Sequence, residues 1–194
     1  IRQRLGEYRH EYTVYDEIVI LDMDDRVRAN LDPGNVVHRS SDPLLAATKA
    51  IDLAGSGDKY LETFRPTDLR PGRGDCLVYS QKIADPETGA PLGVLCLFFD
   101  FAGEMEGIFR DLSQGDAHMV VGILDEAGAV IATSAPDVLP RGERVPVDLT
   151  SDFRLMPFAH KTHLVSTTAT DGYQGFYGLT WYGLAMVEAR AALG

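Results

Sequence analysis

One short pattern of residues occurs twice in the chain, and this repetition constrains the fold more than any other feature. Ile-Leu-Asp ends at Asp22 and again at Asp125, and three residues later each copy continues into an alternating segment, 26–29 and 129–132. Within the pattern, Ile, Leu, Asp, Val and Ala recur at the same places, 103 positions apart. Because an internal repeat marks a duplicated unit, the sequence predicts two modules in tandem. The alternative is chance, since β-hairpins share much of their vocabulary.

The sequence around the first copy predicts two β-hairpins. Segment 17–22 is a β-branched run, the turn at 23–25 stops it, and 26–31 follows with alternating character. The second hairpin joins 76–83 to 92–101 through a turn that contains Pro and Gly. Four strands of an antiparallel sheet are therefore expected in the first module.

Three segments around these hairpins have helical character, and one is irregular. Residues 1–15 carry apolar residues at three- and four-residue intervals, which is typical of the end of an amphipathic helix. The triplet at 41–43, Ser-Asp-Pro, supplies an N-cap and a first-turn proline for a helix over 44–53. A short amphipathic helix is predicted over 104–112. Segment 59–75 has no period and holds three arginines, so it is predicted to be a loop.

The second module is predicted to repeat this plan. Strands are expected over 118–125, 129–134, 162–168 and 175–187, and 164–166 weakly echoes the start of the second hairpin of the first module. The predicted fold class is α+β, with two tandem modules that are each an antiparallel sheet with helix and loop cover on one face. The predicted bounds are 1–15 for the end of an N-terminal helix, 16–113 for the first module and 114–194 for the second.

The charge balance limits the classes of partner. The chain has 18 basic and 29 acidic residues, which gives a formal net charge of -11 at pH 7. Such a surface repels phosphates and anionic lipids, so nucleic acid is not expected as a partner. No apolar run reaches the roughly 20 residues of a membrane span. Because the chain begins at Ile1 and not at Met, we expect a piece of a longer protein whose flanking membrane helices lie outside it.

Motifs of catalysis, nucleotide binding and metal binding do not stand out. No nucleophile elbow, phosphate-binding loop or dinucleotide fingerprint occurs, so neither a catalytic residue nor a cofactor is predicted. His160 and His163 are the closest pair of histidines, but no third ligand follows at zinc spacing, and surface or strand-edge histidines are favoured over a metal site. Cys76 and Cys96 lie on neighbouring predicted strands, where two free thiols are favoured over a disulfide.

Four segments together resemble a double Cache sensor domain. They are EIVILDMDDRVRAN at 17–30, TGAPLGVLCLFFDF at 88–101, VVGILDEAGAVIATS at 120–134 and GYQGFYGLTWYGLAMV at 172–187. The resemblance implies two PAS-like modules along a long N-terminal helix, of which only 1–15 is present. It also implies the periplasmic or extracellular part of an inner-membrane receptor, flanked by transmembrane and cytoplasmic signalling domains and able to form a homodimer. The first module would be membrane-distal and sense a small molecule, and the second would transmit the signal.

Segment 59–75 would form the rim of the first module, and the predicted ligand site is centred there. Guanidinium groups bind carboxylates through paired hydrogen bonds, and aromatic rings supply apolar walls. The candidates in this segment and on the adjoining strand are Tyr60, Phe64, Arg65, Arg70, Arg73, Tyr79 and Ser80. Alternatively, the arginines simply pair with Asp68, Asp75 or Glu62 at the surface.

Three further candidates lie on the last strand of the first module. Cys96, Phe98 and Asp100 are two residues apart and therefore share one face of the sheet. By the resemblance, Asp100 holds the ammonium of an amino acid or amine; alternatively it caps the helix that follows. Tyr60 and Arg65 match the amino-acid-binding subgroup, but its Trp-Tyr pair is missing, so an amino acid, an amine and a small carboxylate all remain open.

Two other functions are alternatives to a sensor domain. In the first, the chain is a structural or dimerisation module in which Tyr8, Tyr12 and Tyr15 form a helix–helix seam. In the second, it is a metal-dependent hydrolase that uses His160 and His163. The aromatic residues of the second module, Phe176, Tyr177, Trp181 and Tyr182, are predicted to pack in its core.

Overall fold

The computed structural model describes residues 5, 7, 14–55, 57, 59–113, 118–146, 153–158, 160–170 and 178–189. By its contacts the chain divides into two compact units, Ile1–Phe101 and Ala102–Gly194, and each contains one five-stranded sheet. The sequence places the boundary later, between residues 113 and 114, and that position stays a prediction. No helix of the described residues is long and apolar enough to span a membrane.

The first unit is an antiparallel sheet with one short helix inserted between its second and third strands. The sheet has the order β2-β1-β5-β4-β3. Its elements are β1 Tyr15–Asp22, β2 Val27–Asn30, α1 Pro43–Ala50, β3 Tyr60–Arg65, β4 Cys76–Ala84 and β5 Pro91–Phe99. Both predicted hairpins and the predicted helix after Asp42 are confirmed.

The second unit repeats this order strand by strand. A helix, α2 Phe101–Ser113, precedes it, and its sheet has the order β7-β6-β10-β9-β8. The strands are β6 Met119–Leu124, β7 Val130–Thr133, β8 Arg154–Phe158, β9 Lys161–Ala169 and β10 Tyr182–Glu188. The predicted α+β fold of two tandem PAS-like modules is therefore confirmed.

The repeated sequence pattern corresponds to a repeated turn. In each unit the first hairpin carries a bulge directly after the repeated Ile, at Ile20 and at Ile123. The repeated aspartate then closes the turn, because one carboxylate oxygen accepts the backbone N–H groups two and four residues further on. These bonds measure 2.9 and 3.0 Å at Asp22 and 2.9 and 2.8 Å at Asp125. Chance similarity would not place the same bulge and the same hydrogen bonds in both copies.

The two strands that the sequence pattern misses, β3 and β8, occupy the same edge position in the two sheets. Segment 59–75 was expected to be a loop, but its first part is β3, so the loop is confined to residues 66–75. Every residue of β3 is half-buried, because an edge strand is partly exposed on both faces and shows no alternation of buried and exposed residues.

The N-terminal prediction is only partly covered by the described residues. Leu5 and Glu7 are helical, whereas Tyr8 and Tyr12 lie outside the described residues. Tyr15, which the spacing assigned to the helix, is instead the first residue of β1 and pairs with Phe99. A seam of three tyrosines on one helix is therefore not formed.

The first sheet has two differently covered faces. Helix α1 packs on one face, which we call the α1 face. The buried strand residues of this face are Val19, Leu21, Val78, Val94, Cys96 and Phe98, and Leu44 and Leu45 of the helix and Leu69 of the 66–75 loop pack against them. The opposite face packs against Leu5, and we call it the Leu5 face. It carries Ile18 and Ala29, with Ile20, Leu31, Leu95 and Leu97 beside them.

Polar contacts fix helix α1 above its face of the sheet. The Asp42 carboxylate caps the first turn by accepting the Leu44 N–H at 2.9 Å. At the other end, the Lys82 ammonium of β4 donates to the carbonyls of Lys49, at 3.0 Å, and of Ile51. A cation at the carboxyl end of a helix satisfies carbonyls that have no partner within the helix.

Candidate functional site

The register of the first sheet distributes the predicted site residues over both faces. Directly paired residues share a face, and Leu61 pairs with Ser80 while Ser80 pairs with Cys96. Arg65, Ser80, Cys96 and Phe98 therefore lie on the α1 face. By the same alternation, Tyr60, Phe64 and Tyr79 belong to the Leu5 face.

On the Leu5 face the three aromatic candidates pack with other rings. The ring centroids of Tyr60 and Tyr79 are 6.4 Å apart, and those of Phe64 and Phe101 are 5.0 Å apart. Burial raises the pKa of Tyr79 to about 12, and the negative charge of the nearby Glu62 carboxylate adds a smaller effect in the same direction. These side chains lie across the sheet from the arginines they were expected to accompany.

On the α1 face three candidates are fully buried beneath α1 and the 66–75 loop. Ser80, Cys96 and Phe98 are each at most about one hundredth exposed. The Ser80 hydroxyl lies 2.6 Å from the Thr48 hydroxyl, which joins β4 to α1. Burial raises the pKa of the Cys96 thiol to about 12, and the negative charge of the nearby Asp42 carboxylate adds a smaller effect in the same direction.

Arg65 pairs with the carboxylate that caps α1. Its guanidinium donates to Asp42, whose side chain is only 2% exposed, while that of Arg65 is 39% exposed. A second guanidinium nitrogen donates to the Pro66 carbonyl at 3.1 Å. Arg65 thus lies at the opening of the α1 face, with one side toward solvent and the other bound to a buried acid.

Arg70 lies deeper and is also paired. Its side chain is 6% exposed, donates to the Asp16 carboxylate and lies 5.7 Å from the centroid of the Phe98 ring. A guanidinium over an aromatic face is a favourable arrangement that strengthens when water is excluded. Arg70 and the adjacent Leu69 together cover the end of the α1 face.

The two remaining candidates occupy different surroundings. Arg73 lies in the exposed turn before β4, between two glycines with φ of 80° and 72°, values that favour glycine. Asp100 is half-buried, follows β5 directly and precedes the first residue of α2. Its backbone N–H donates to the Val14 carbonyl at 2.8 Å, which ties the end of β5 to the start of β1.

Sequence reasoning missed the acids that bind the arginines. Surface pairing with Asp68, Asp75 or Glu62 was the alternative expectation, but Arg65 and Arg70 pair with Asp42 and Asp16. Asp42 was recognisable as an N-cap, and nothing in the pattern indicated that a cap would also bind an arginine. Asp16 precedes the β-branched run of β1 and carried no signal.

A buried carboxylate beneath the loop was also missed. Glu17 is 0% exposed and accepts the backbone N–H groups of Ile18 and Leu31 at 2.8 Å and of Asp32 at 3.1 Å. It also accepts the Asn35 side-chain amide at 3.2 Å, and that amide donates to the Leu69 carbonyl at 3.0 Å. The carboxylate therefore connects β1 to the loop that carries Arg70.

Asp68 ties the same loop to the segment before α1. Its carboxylate accepts the Ser41 N–H at 2.7 Å, the Ser41 hydroxyl at 3.0 Å and the Ser40 hydroxyl. Burial acts to raise the pKa of Asp68, but the hydrogen bonds from Ser40 and Ser41 outweigh it and the pKa is lowered. The 66–75 loop is thus held in place by charged and hydrogen-bonded groups.

These groups suit recognition of a charged ligand. A carboxylate could bind Arg65 or Arg70 by exchanging with the acid already paired to it, and an ammonium could bind the acids.

The two cysteines are free: Cys96 pairs with Ser80, four residues or about 13 Å from Cys76 along β4, which is too far for a disulfide. Among the described residues, no three His, Cys, Asp or Glu side chains are grouped to hold a metal ion.

No family model and no curated protein matches the chain. Solved structures share its fold. The extracellular domain of the histidine kinase rpHK1S-Z16 gives a TM-score of 0.68 at 14% identity, covering 100% of this chain and 78% of that one. The V. cholerae histidine kinase DctB sensor domain gives a TM-score of 0.65 at 11% identity, covering 96% of this chain and 77% of that one. The ligand-binding domain of the Pseudomonas fluorescens chemoreceptor CtaA with L-serine gives a TM-score of 0.64 at 14% identity, covering 96% of this chain and 78% of that one.

These structures are the extracellular, sensor and ligand-binding domains of two histidine kinases and a chemoreceptor, and the likeness extends over both units of the chain. At these sequence identities the likeness establishes the fold. The chain thus has the architecture of a double Cache sensor domain, in agreement with the resemblance of its four sequence segments.

Proposed function

We propose that this chain is the extracytoplasmic ligand-binding domain of a signalling receptor, and that its first module binds a small carboxylate, amino acid or amine. The observation that supports this most is the fold, which matches solved receptor sensor domains over at least 96% of the chain. One of them, CtaA, is solved with L-serine. In the full-length receptor, transmembrane and cytoplasmic signalling domains would flank the chain, and the receptor would act as a homodimer.

The proposed ligand site lies on the α1 face, where Arg65, Arg70 and Asp100 are placed around the end of β5. The Arg65 side chain is 39% exposed, and its partner Asp42 caps α1. A ligand that exchanged with Asp42 would therefore change the contacts of α1. Differential affinity for two arrangements of α1 and the 66–75 loop is what a sensor needs to bias an output domain.

A thermal-shift screen against amino acids, amines and organic acids tests this proposal. A compound that binds only the folded chain raises its melting temperature as its concentration exceeds Kd. We expect at least one class of compound to stabilise the wild type, and we expect Arg65→Ala or Asp100→Ala to abolish the shift. Arg65→Lys, which keeps the charge but loses the paired geometry, should retain part of it.

Arg28→Ala is the matched control, because Arg28 is a 63% exposed arginine of the same unit whose nearest acid, Asp22, is 3.7 Å away. The ligand-induced rise in the melting temperature of Arg28→Ala should equal that of the wild type. The proposal fails if no compound stabilises the chain. It also fails if the stabilisation survives both Arg65→Ala and Asp100→Ala.

A further inference from the structure

The second unit contains a cavity of about 510 Å³ at one end of its sheet. The volume lies within the range of roughly 300–1,000 Å³ that is typical of small-molecule sites. Its apolar lining residues are Met119, Val120, Ala135 and Val138. Its polar lining residues are Ser113, His118, Ser134, Asp137, Lys161, His163 and Glu188.

One lining residue, His163, has a ring nitrogen without a hydrogen-bond partner among the described residues. The residue is 6% exposed, it lines the cavity, and its Nδ1 atom is buried without a hydrogen-bond partner. The Phe158 ring packs edge-on against the imidazole with centroids 6.3 Å apart. A buried polar atom without a partner is unfavourable, so a ligand that reached Nδ1 after a small rotation of the ring would be stabilised there.

Two basic side chains of β9 face the same side of the cavity. Lys161 and His163 are two residues apart and so share a sheet face, with their Cα atoms separated by about 6.6 Å. The Lys161 ammonium donates one bond, 2.7 Å long, to Glu188, which is paired across the sheet from His163. An ammonium has three N–H groups, so it can bind a second anion while keeping this bond.

We propose that this cavity is a second ligand site, in the second module, and that it takes a small monocarboxylate. The carboxylate would accept hydrogen bonds from Lys161 and His163, and its alkyl group would contact Val120 and Val138. Lys161, His118 and His163 supply N–H donors to this lining, which also carries the carboxylates of Asp137 and Glu188, and N–H donors favour a ligand with acceptor oxygens. The site is separate from the one proposed in the first module.

An isosteric series of probes tests the charge of the ligand. Propionate, propionamide and propylamine have similar size and differ in charge, and their titration into protein labelled with ¹⁵N-histidine reports directly on the ring nitrogens of His163. We expect saturable shifts with propionate, with a Kd in the millimolar range for so small a ligand. Propionamide should bind about tenfold more weakly, because the charge-assisted hydrogen bonds are lost.

Variants of the Lys161–Glu188 pair give the sharpest test, because they predict opposite signs. Lys161→Met removes an exposed donor with little risk to folding and should weaken propionate binding about tenfold. Glu188→Gln removes the competing carboxylate from Lys161 and should tighten propionate binding severalfold. For an amine ligand Glu188→Gln would weaken binding instead.

The controls separate this site from the first one and from ionic strength. His160→Asn is the matched histidine control, since His160 lies in the exposed turn before β9 with a φ of 64°, which Asn tolerates. It should leave propionate binding unchanged, as should Arg65→Ala in the first module. Equal additions of sodium chloride should leave the His163 resonances in place.

Three results would overturn the second site. The first is that none of the probes shifts the His163 nitrogens up to about 50 mM, well above the expected Kd. The second is that propylamine binds more tightly than propionate. The third is that Glu188→Gln weakens propionate binding. None of these results bears on ligand binding in the first module, whose test uses Arg65 and Asp100.

Discussion

The same end of the sheet is built differently in the two units. In the first unit, Leu69 and Arg70 pack against Phe98 at this end. In the second, Met186 takes the place of Phe98, because each is paired across the sheet with a valine of the neighbouring strand. There the corresponding end contains a cavity of about 510 Å³. Equivalent strands thus carry a loop with a buried arginine in one unit and a cavity in the other.

This difference lies in the connection between the third and fourth strands of each unit, residues 66–75 in the first and 159–160 in the second, and not in the sheets. Strand order and the bulge of the first hairpin are the same in both units. What differs is the loop at 66–75, which brings Leu69 and Arg70 to the first sheet and is held there by Asp68 and Asn35. Duplication preserved the sheet, and the inserted segment determines whether its end is covered.

The largest expected effect comes from making the first unit resemble the second at Glu17. The corresponding residue, 103 positions on, is Val120, which lines the cavity of the second unit. Glu17→Val would remove an acceptor from the N–H groups of Ile18, Leu31 and Asp32, of which Leu31 keeps the Ile18 carbonyl, and each group left unpaired costs about 1–3 kcal/mol. We expect the free energy of unfolding of the first unit to fall by about 3 kcal/mol or more.

Urea denaturation can assign this loss to one unit. The single tryptophan of the chain is Trp181, so its fluorescence reports the second unit, while circular dichroism reports both sheets. The transition seen by circular dichroism should move and the Trp181 transition should stay. Val120→Ala is the matched control at the equivalent position and should cost about 1 kcal/mol. An equal shift of both transitions in Glu17→Val would contradict the assignment.

The next effect concerns the group that covers the first pocket. Arg70→Ala removes a buried guanidinium from Asp16 and from the Phe98 ring, and we expect a loss of about 2 kcal/mol. Arg70→Met, which restores the apolar stem without the charge, should recover part of it. Hydrogen exchange should show faster exchange at the backbone amides of 66–75 in Arg70→Ala.

Arg73→Ala is the control for this pair of variants. Arg73 belongs to the same loop but is exposed, so its loss should change stability by less than about 0.5 kcal/mol. If Arg70→Ala were as stable and as well protected as Arg73→Ala, Arg70 would not be what closes the first pocket.

The sequence predicted four strands of each sheet and missed the fifth, which lies at the same edge in both units. The hairpins of β1–β2 and β6–β7 have β-branched runs and a turn-closing aspartate, which are local signals, and they were found. The edge strands β3 and β8 were missed because their side chains are half-exposed and show no strict alternation. Edge pairing depends on the neighbouring strand, which is distant in sequence.

The same limit explains which site residues were found. Arg65 and Arg70 stood out as basic residues in an acidic chain, whereas their partners Asp42 and Asp16 are 23 and 54 positions away in sequence. The division of Tyr60 and Phe64 from Arg65 follows from β3 being a strand, so a missed strand misplaced three side chains at once. In the second unit, His163 was expected to be a surface or strand-edge histidine, but it is buried, because its burial depends on the pairing of β9.

The smallest expected effect is a pH dependence that belongs to the first unit. The folded-state pKa of Asp68 is lowered, so its contribution to stability is present above the unfolded value of about 3.9 and is lost as pH falls through the folded value. Acidification from pH 5 to pH 2 should therefore loosen the 66–75 loop.

In Asp68→Asn the loop should already be looser at pH 7, and the urea midpoint of the first unit should depend less on pH below 4. Asp137→Asn, an exposed acid of the second unit, should reproduce the wild-type pH profile of the first. A profile that Asp68→Asn leaves unchanged would mean that other carboxylates fasten the loop, and the contrast between the covered and the open pocket would then rest on Arg70 and Glu17 alone.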